Sequence, residues 1–193
     1  MALIMNNIAI FASGSGSNAE NIVRYFTNNP RVKIELIATE NPQAQVIERA
    51  RKLSIDVKVF SMSELRNGDL LNLIKLYHVN FIVLAGFLKL IPRNLIEAFP
   101  NRIVNIHPAL LPKYGGKGMY GIKVHEAVIA HGETESGITI HYINSNYDEG
   151  DIILQAKCPV SPTDTSQTLA QKVHGLEYEY YPRVIESLLE KLE

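Results

Sequence analysis

The sequence has no tryptophan and one cysteine, Cys158. A lone thiol excludes an internal disulfide, and without a Cys/His cluster at zinc spacing the chain offers no zinc site and suits a reducing compartment. An excess of one charge is also missing. The 19 Lys and Arg face 20 Asp and Glu, for a formal net charge of −1, which argues against non-specific binding to nucleic acid or an anionic membrane. The longest strongly apolar run, Phe81 to Leu88, stops at Lys89 and is far too short to span a bilayer. Met1 to Ser17 has no cationic stretch, and Asn6 and Asn7 break its apolar run, unlike a secretory leader. A cytoplasmic protein is expected. No repeat, low-complexity tract or Pro/Gly/Ser-rich linker divides the 193 residues, so residues 1–193 are read as one domain.

Short apolar runs alternate with helical patterns over the first two thirds. Strands are expected at Ile8–Ala12, Val32–Thr39, Val57–Phe60, Phe81–Ala85 and Ile103–Ile106. A helix should start at Ser17, which has capping-box spacing to Glu20. Residues 43–53, and Leu70, Leu73, Ile74 and Tyr77, have helical character. This alternation implies an α/β fold with a mostly parallel, helix-covered sheet. Later the pattern changes: Gly137–Ile143 and Asp151–Ala156 read as an antiparallel β-pair. Asp164 and Gln167 then suggest a second capping box before a long terminal helix striped by Leu169, Val173, Leu176, Tyr180, Val184 and Leu188, with Pro182 expected to kink or restart it.

Three segments can carry chemistry. Gly14-Ser15-Gly16-Ser17-Asn18-Ala19 is a glycine-rich strand-to-helix turn whose amides can converge on an anion. It fits a loose dinucleotide pattern, with Glu40 available as the ribose acid, a single terminal phosphate, or a tight turn with no ligand. Asn105-Ile106-His107-Pro108 ends the fifth strand; alternation puts Asn105 and His107 on one side, where amide and imidazole can hold an oxyanion or form a structural pair. Asp148-Glu149-Gly150-Asp151 reads by itself as a solvated acidic turn. His125, His131 and His141 have no metal-ligand spacing and are expected as surface or supporting histidines. Cys158, beside Pro159 and with no activating base nearby in sequence, reads as an inert buried thiol.

Together the segments resemble the glycinamide ribonucleotide formyltransferases, a folate-dependent family. The motifs are Ser13-Gly14-Ser15-Gly16-Ser17-Asn18, Leu84-Ala85-Gly86-Phe87-Leu88-Lys89, Asn105-Ile106-His107-Pro108-Ala109-Leu110-Leu111-Pro112-Lys113-Tyr114, Gly137-Ile138-Thr139-Ile140-His141 and Asp148-Glu149-Gly150-Asp151-Ile152-Ile153-Leu154-Gln155. The resemblance implies a Rossmann-like formyltransferase fold and transfer of the formyl group of 10-formyltetrahydrofolate, as co-substrate, to the amine of glycinamide ribonucleotide in purine biosynthesis, with no metal.

It assigns Asn105, His107 and Asp148 to catalysis, with Asp148 keeping His107 protonated so that imidazolium and the Asn105 amide both donate to the formyl oxygen. Gly16, Ser17 and Asn18 hold the substrate phosphate, and His174, Gly175, Leu176 and Glu177 contact the ribonucleotide. Leu88, Lys89, Leu90 and Ile91, with Asn105, Asn144, Ser145, Asn146, Tyr147 and Asp148, hold the folate. Lys89 stands where the family carries arginine, and Gly115–Gly121 is read as a mobile loop at the rim. The expected partners are small molecules, with a monomer or homodimer and no nucleic acid or membrane. The alternative is a Rossmann-type nucleotide-binding protein, either non-catalytic or NAD-dependent. Related formyl-transfer enzymes that act on methionyl-tRNA or hydrolyse the formyl folate carry a further domain for which 193 residues leave no room.

Overall fold

A computed structural model describes residues 5–192. Its centre is a seven-stranded sheet in the order β3-β2-β1-β4-β5-β6-β7. The strands β1 (Asn6–Phe11), β2 (Val32–Thr39), β3 (Asp56–Val59), β4 (Phe81–Leu84) and β5 (Ile103–His107) are parallel. The last two, β6 (Glu135–Tyr142) and β7 (Ile152–Pro159), run antiparallel. The helices are α1 (Ser17–Phe26), α2 (Val46–Lys52), α3 (Met62–Asn67), α4 (Asp69–Leu76), α5 (Arg93–Ala98), α6 (Ile122–Ala130) and α7 (Ser166–Glu190).

Strand alternation sorts the core into two layers. Ile8 and Ile10 of β1 join Ile22, Phe26, Val46, Leu169, Tyr181 and Ile185 on one face. Ala9 and Phe11 join Phe60, Leu65, Leu70, Ile74, Leu95 and Phe99 on the other. Burial on both faces explains why β4 reads Phe-Ile-Val-Leu without a polar residue. The strand order reverses direction between β1 and β4, and at such a switch point the loops leaving the strands diverge and open a crevice.

Both expected capping boxes are corrected. The N-cap of α1 is Gly16, in the left-handed region at φ 73°, with no side-chain cap. Glu20 instead binds Arg24 and Arg49. At α7 the box is one residue later: Thr168 N–H donates to Thr165 Oγ1 at 3.2 Å and Thr165 N–H to Thr168 Oγ1 at 2.9 Å. Asp164, just outside, accepts from Ser161 N–H at 2.7 Å.

Pro182 does not restart α7, which runs unbroken from Ser166 to Glu190. A mid-helix proline frees the carbonyl four residues earlier, here that of Tyr178, and the Asn21 side-chain amide of α1 donates to it at 3.0 Å. Two more contacts continue this seam: Asn18 Nδ2 to Glu177 Oε2 at 2.9 Å and Tyr25 Oη to Glu186 Oε2 at 2.5 Å.

Tyr181 fixes α7 to the sheet. Its side chain is fully buried, and its hydroxyl reaches Leu84 O at 2.9 Å and Val104 O at 3.2 Å, bridging β4 and β5. Among the described residues no helix is long and apolar enough to cross a membrane. Tyr181→Phe keeps the packing and strips the bridge, so it should cost about 1–3 kcal/mol of stability. Urea unfolding reads this as a lower midpoint at unchanged slope; a midpoint equal to the parent's contradicts the anchoring role.

Candidate active site

The switch-point crevice is a cavity of about 460 Å³. Its walls are the turn after β1 (Gly14 to Asn18), the segment Leu84 to Ile91, the end of β5 (Asn105 to Pro108), the loop residues Gly116, Met119, Tyr120 and Gly121, and the face of α7 with Ala170, Val173, His174 and Glu177. Asn144, Asn146, Tyr147 and Asp148 complete it, whereas Ser145, Gly175 and Leu176 do not line it.

Glycine at position 16 answers to the fold. A Cβ there would lie 2.3 Å from Val46 Cγ2 and 2.8 Å from Val46 Cα, and φ is +73°. The glycine lets α2 pack against the turn. The first helical bond of α1 is Glu20 N–H to Gly16 O at 2.9 Å, so the amides before Glu20 have no helical partner and form an anion-receptive N-terminus. Glu40 does not line the cavity. It accepts from Ser13 Oγ at 3.0 Å and lies 3.8 Å from Lys89 Nζ. Glu40 is thus turned away from the role of a ribose-binding acid in this cavity.

The polar centre is built by β5, β6 and the loop between β6 and β7. Antiparallel register sets Asn105 opposite His141. His141 is buried; its Nδ1 lies 2.8 Å from the Tyr142 carbonyl, which only accepts, so Nδ1 carries the proton. Nε2 is then the acceptor for Asn105 Nδ2 at 3.1 Å, leaving the second Asn105 N–H free. His107, 4% exposed, donates from Nε2 to Tyr114 O at 2.7 Å. Its Nδ1 faces Asp148 Oδ2 at 3.5 Å, while Asp148 Oδ1 lies 3.7 Å from His141 Nε2.

Asp148 reaches this centre because its backbone is left-handed at φ 57°. A Cβ at Gly150 would lie 1.7 Å from Tyr142 O, so only glycine lets the chain close behind it. Gly116 N–H donates to Asp148 Oδ2 at 2.9 Å. The loop that supplies Tyr114 O and Gly116 N is pinned at its base, with Leu111 N–H to Thr139 Oγ1 at 2.9 Å and Gln155 Nε2 to Leu111 O at 2.9 Å. Of the Gly115–Gly121 segment, Gly116, Met119, Tyr120 and Gly121 line the cavity.

Opposing effects act on the charge of His107. Burial pushes the imidazole below its ordinary value, and the Asp148 carboxylate and Tyr114 carbonyl offset this only in part. Burial thus works against the imidazolium, while both ring nitrogens face acceptors, Nε2 the Tyr114 carbonyl and Nδ1 the Asp148 carboxylate. Asp148 remains ionised. Burial raises its pKa, but His141, His107 and the Gly116 N–H together outweigh that and hold it below the ordinary value.

At the other end, Glu177 is 5% exposed and accepts from Asn18 Nδ2 and His174 Nδ1, both at 2.9 Å. The bond to Glu177 raises the His174 pKa against a smaller opposing effect of burial. Of the remaining histidines, His131 is exposed, but His125 and His141 are buried and line or support the site. Among the described residues no His/Cys/Asp/Glu group is arranged to hold a metal. Cys158 is half-buried, with its thiol pushed up by burial. The roles of Tyr114 O, Gly116 N, His125 and the Met119–Ile122 wall escaped the sequence reading. The Asn105–His141 pairing was within reach, since strand register gives it once the hairpin is aligned.

The formyl transferase family profile matches residues 6–185. Phosphoribosylglycinamide formyltransferase, chloroplastic, of Arabidopsis thaliana is 41% identical over 191 residues, 95% of this chain and 65% of the relative. The Vigna unguiculata protein of the same name is 40% identical over 95% of this chain and 61% of its own length. The chain thus spans just under two thirds of these plant relatives. Phosphoribosylglycinamide formyltransferase of Bacillus subtilis is 37% identical, over 96% of this chain and 95% of the relative. The crystal structure of phosphoribosylglycinamide formyltransferase from Bacillus halodurans superposes with a TM-score of 0.87 at 34% identity, covering 97% of both chains.

Two outcomes are expected. Gly16→Ala should lower the melting temperature and weaken every ligand together, because the added carbon meets Val46; an unchanged melt would remove the packing argument. Asp148→Asn removes the nearest group that raises the His107 pKa, so that pKa should fall further. An NMR titration of His107 checks it, and an unshifted curve in a folded variant rules out the coupling.

Proposed function

The chain belongs to the formyl transferase family, and from that premise we propose that it transfers the formyl group of 10-formyltetrahydrofolate to the amine of glycinamide ribonucleotide. The observation that carries this reading is the convergence of Asn105, His107 and Asp148 on the wall of a cavity whose far end presents the N-terminus of α1. The family supports a folate-type formyl donor and small-molecule substrates; the particular folate and acceptor are our reading.

The acceptor phosphate fits the free amides at the start of α1, where the helix end adds partial positive charge. Among the described residues Lys89 is the one Lys or Arg lining the cavity, and it sits beside Glu40. The His174 imidazole, with its pKa raised by Glu177, stands on the α7 face of the cavity. Leu88, Lys89, Leu90 and Ile91 form the opposite wall with Asn144, Asn146 and Tyr147, and there we place the folate ring system.

Chemistry follows from the polar centre. The amine attacks the formyl carbon, forming a C–N bond and an oxyanion. The free N–H of Asn105 donates to that oxyanion. His107 is not free to do so in this geometry, since Nε2 is committed to Tyr114 O and Nδ1 faces Asp148. Burial works against a charge resting on the imidazole, and His107 Nδ1 and Asp148 Oδ2 face each other across 3.5 Å. That arrangement favours taking up a proton, so this pair receives the one the amine sheds, directly or through water. The proton then passes to the folate nitrogen as the original C–N bond breaks and the carbonyl re-forms. His107 thus becomes charged during the reaction. We further propose that residues 1–193 act as one catalytic domain in the cytoplasm, as a monomer or homodimer.

Incubation with 10-formyl-5,8-dideazafolate and glycinamide ribonucleotide should consume the formyl donor. Asn105→Ala should lower kcat by about 10²–10³-fold while binding is largely kept. No turnover by the parent protein overturns the proposed reaction, and a variant within a few-fold of the parent removes Asn105 as oxyanion donor.

A further inference from the structure

Tyr114 supplies the carbonyl that accepts from His107 Nε2 at 2.7 Å, and it does so from a left-handed backbone at φ 57°. A bulky side chain resists that conformation, which persists where surrounding contacts over-determine it. Two residues on, the Gly116 N–H donates to Asp148 Oδ2 at 2.9 Å. One turn of chain thus touches both members of the His107–Asp148 pair. A Cβ at Gly115 would lie 2.5 Å from Leu111 Cδ2 and 3.3 Å from Asp148 Cβ. The turn is therefore tightly packed, and its aim depends on what fixes Tyr114.

The fixing contact lies outside the cavity. The Tyr114 hydroxyl donates to Glu133 Oε1 at 2.8 Å, and Glu133 does not line the cavity. The tyrosine ring meets the His131 ring edge-on, with centroids 5.6 Å apart, and packs against the core. Glu133 is itself a firm post. It follows the left-handed Gly132, at φ 65°, and its N–H closes onto Val128 O of α6 at 3.3 Å. The same carboxylate oxygen takes Lys113 Nζ at 2.8 Å, but the Lys113 side chain is 66% exposed, and such an ion pair contributes little and is screened by salt. The bond to the half-buried tyrosine is the tie that holds the turn.

We propose that Glu133 is a positioning residue for the His107–Asp148 pair: by holding the Tyr114 hydroxyl it keeps the turn that aims the Tyr114 carbonyl at His107. This rests on the roles given to His107 and Asp148 above and adds a residue outside the cavity on which they depend. The Tyr114 carbonyl helps to raise the His107 pKa against burial. A loosened turn lowers that pKa and weakens the pair as a proton acceptor.

The test compares Tyr114→Phe, Glu133→Leu and Glu133→Gln with the parent, using 10-formyl-5,8-dideazafolate and glycinamide ribonucleotide. Tyr114→Phe changes no charge near neutral pH, since the phenol pKa is raised. Glu133→Gln removes the charge but keeps an oxygen that accepts from the tyrosine. Tyr114→Phe and Glu133→Leu should each lower kcat by about tenfold or more, as misplaced catalytic groups do, with KM little changed. The double variant should lose no more than either alone, because both break one bond. Glu133→Gln should stay near the parent. In an NMR titration without substrates, the His107 midpoint should fall in Tyr114→Phe and Glu133→Leu but not in Glu133→Gln. The acid limb of the kcat–pH profile should move to lower pH with it. A folded Tyr114→Phe overturns the proposal if either its kcat or its His107 titration matches the parent's. So does a Glu133→Gln as impaired as Glu133→Leu, which would assign the effect to charge. Should one of the two disruptive variants not fold, the other decides. A parent protein without formyl transfer overturns the reaction, and the substrate-free titration then decides the positioning by itself.

Discussion

The carboxylate of Asp148 is the point at which three separate pieces of chain meet. It takes the amide of Gly116 from the loop after β5 at 2.9 Å, faces His107 at the end of β5 and lies beside His141 of β6. None of these segments could hold the site's geometry alone. A loop so rich in glycine has little of its own to fix it, and a buried imidazole has no reason to keep one orientation without partners. A single anion, held ionised by its surroundings, orders all three. The strained backbone at φ 57° belongs to this bargain, since left-handed conformations in non-glycine residues persist where surrounding contacts over-determine them.

Behind that centre the fold supplies stiffness. Asn105 and His107 sit on a strand whose neighbours on both sides are hydrogen-bonded. Tyr181 ties the same strand and β4 to the terminal helix from below. The helix in turn brings Glu177 and His174 to the far end of the cavity. The polar centre and the Glu177 wall are thus set by one rigid frame, while the rim is built from loops.

Much of this was legible in the sequence, for reasons that differ by element. The strands announce themselves because double burial demands unbroken Val/Ile/Leu/Phe runs, as in Phe81–Leu84. The helices α3 and α5 have six residues each, too short for periodicity to show. Capping was misplaced at α1 because a left-handed glycine took the N-cap position that a hydroxyl was expected to hold. Asn105 and His107 follow from simple alternation. Asp148 does not, since only the left-handed turn and Gly150 bring a seemingly solvated acid under cover. For a related reason the carboxylate beside His107 was visible in the motif, but the depth of burial that works against it was not.

Pro182 has a consequence beyond the continuity of its helix. By lacking an N–H it leaves a vacancy at Tyr178 O, and Asn21 fills it from the neighbouring helix. In a regular helix every carbonyl in the interior looks alike, so two helices could slide past one another by a turn with little change in their polar pairing. A single vacancy breaks that equivalence and works as an index mark. Asn18 lies one turn before Asn21, and Glu177 directly precedes Tyr178. Seating the index therefore also sets Glu177 against Asn18, and the address of that buried carboxylate is written in a bond that the helix does not make.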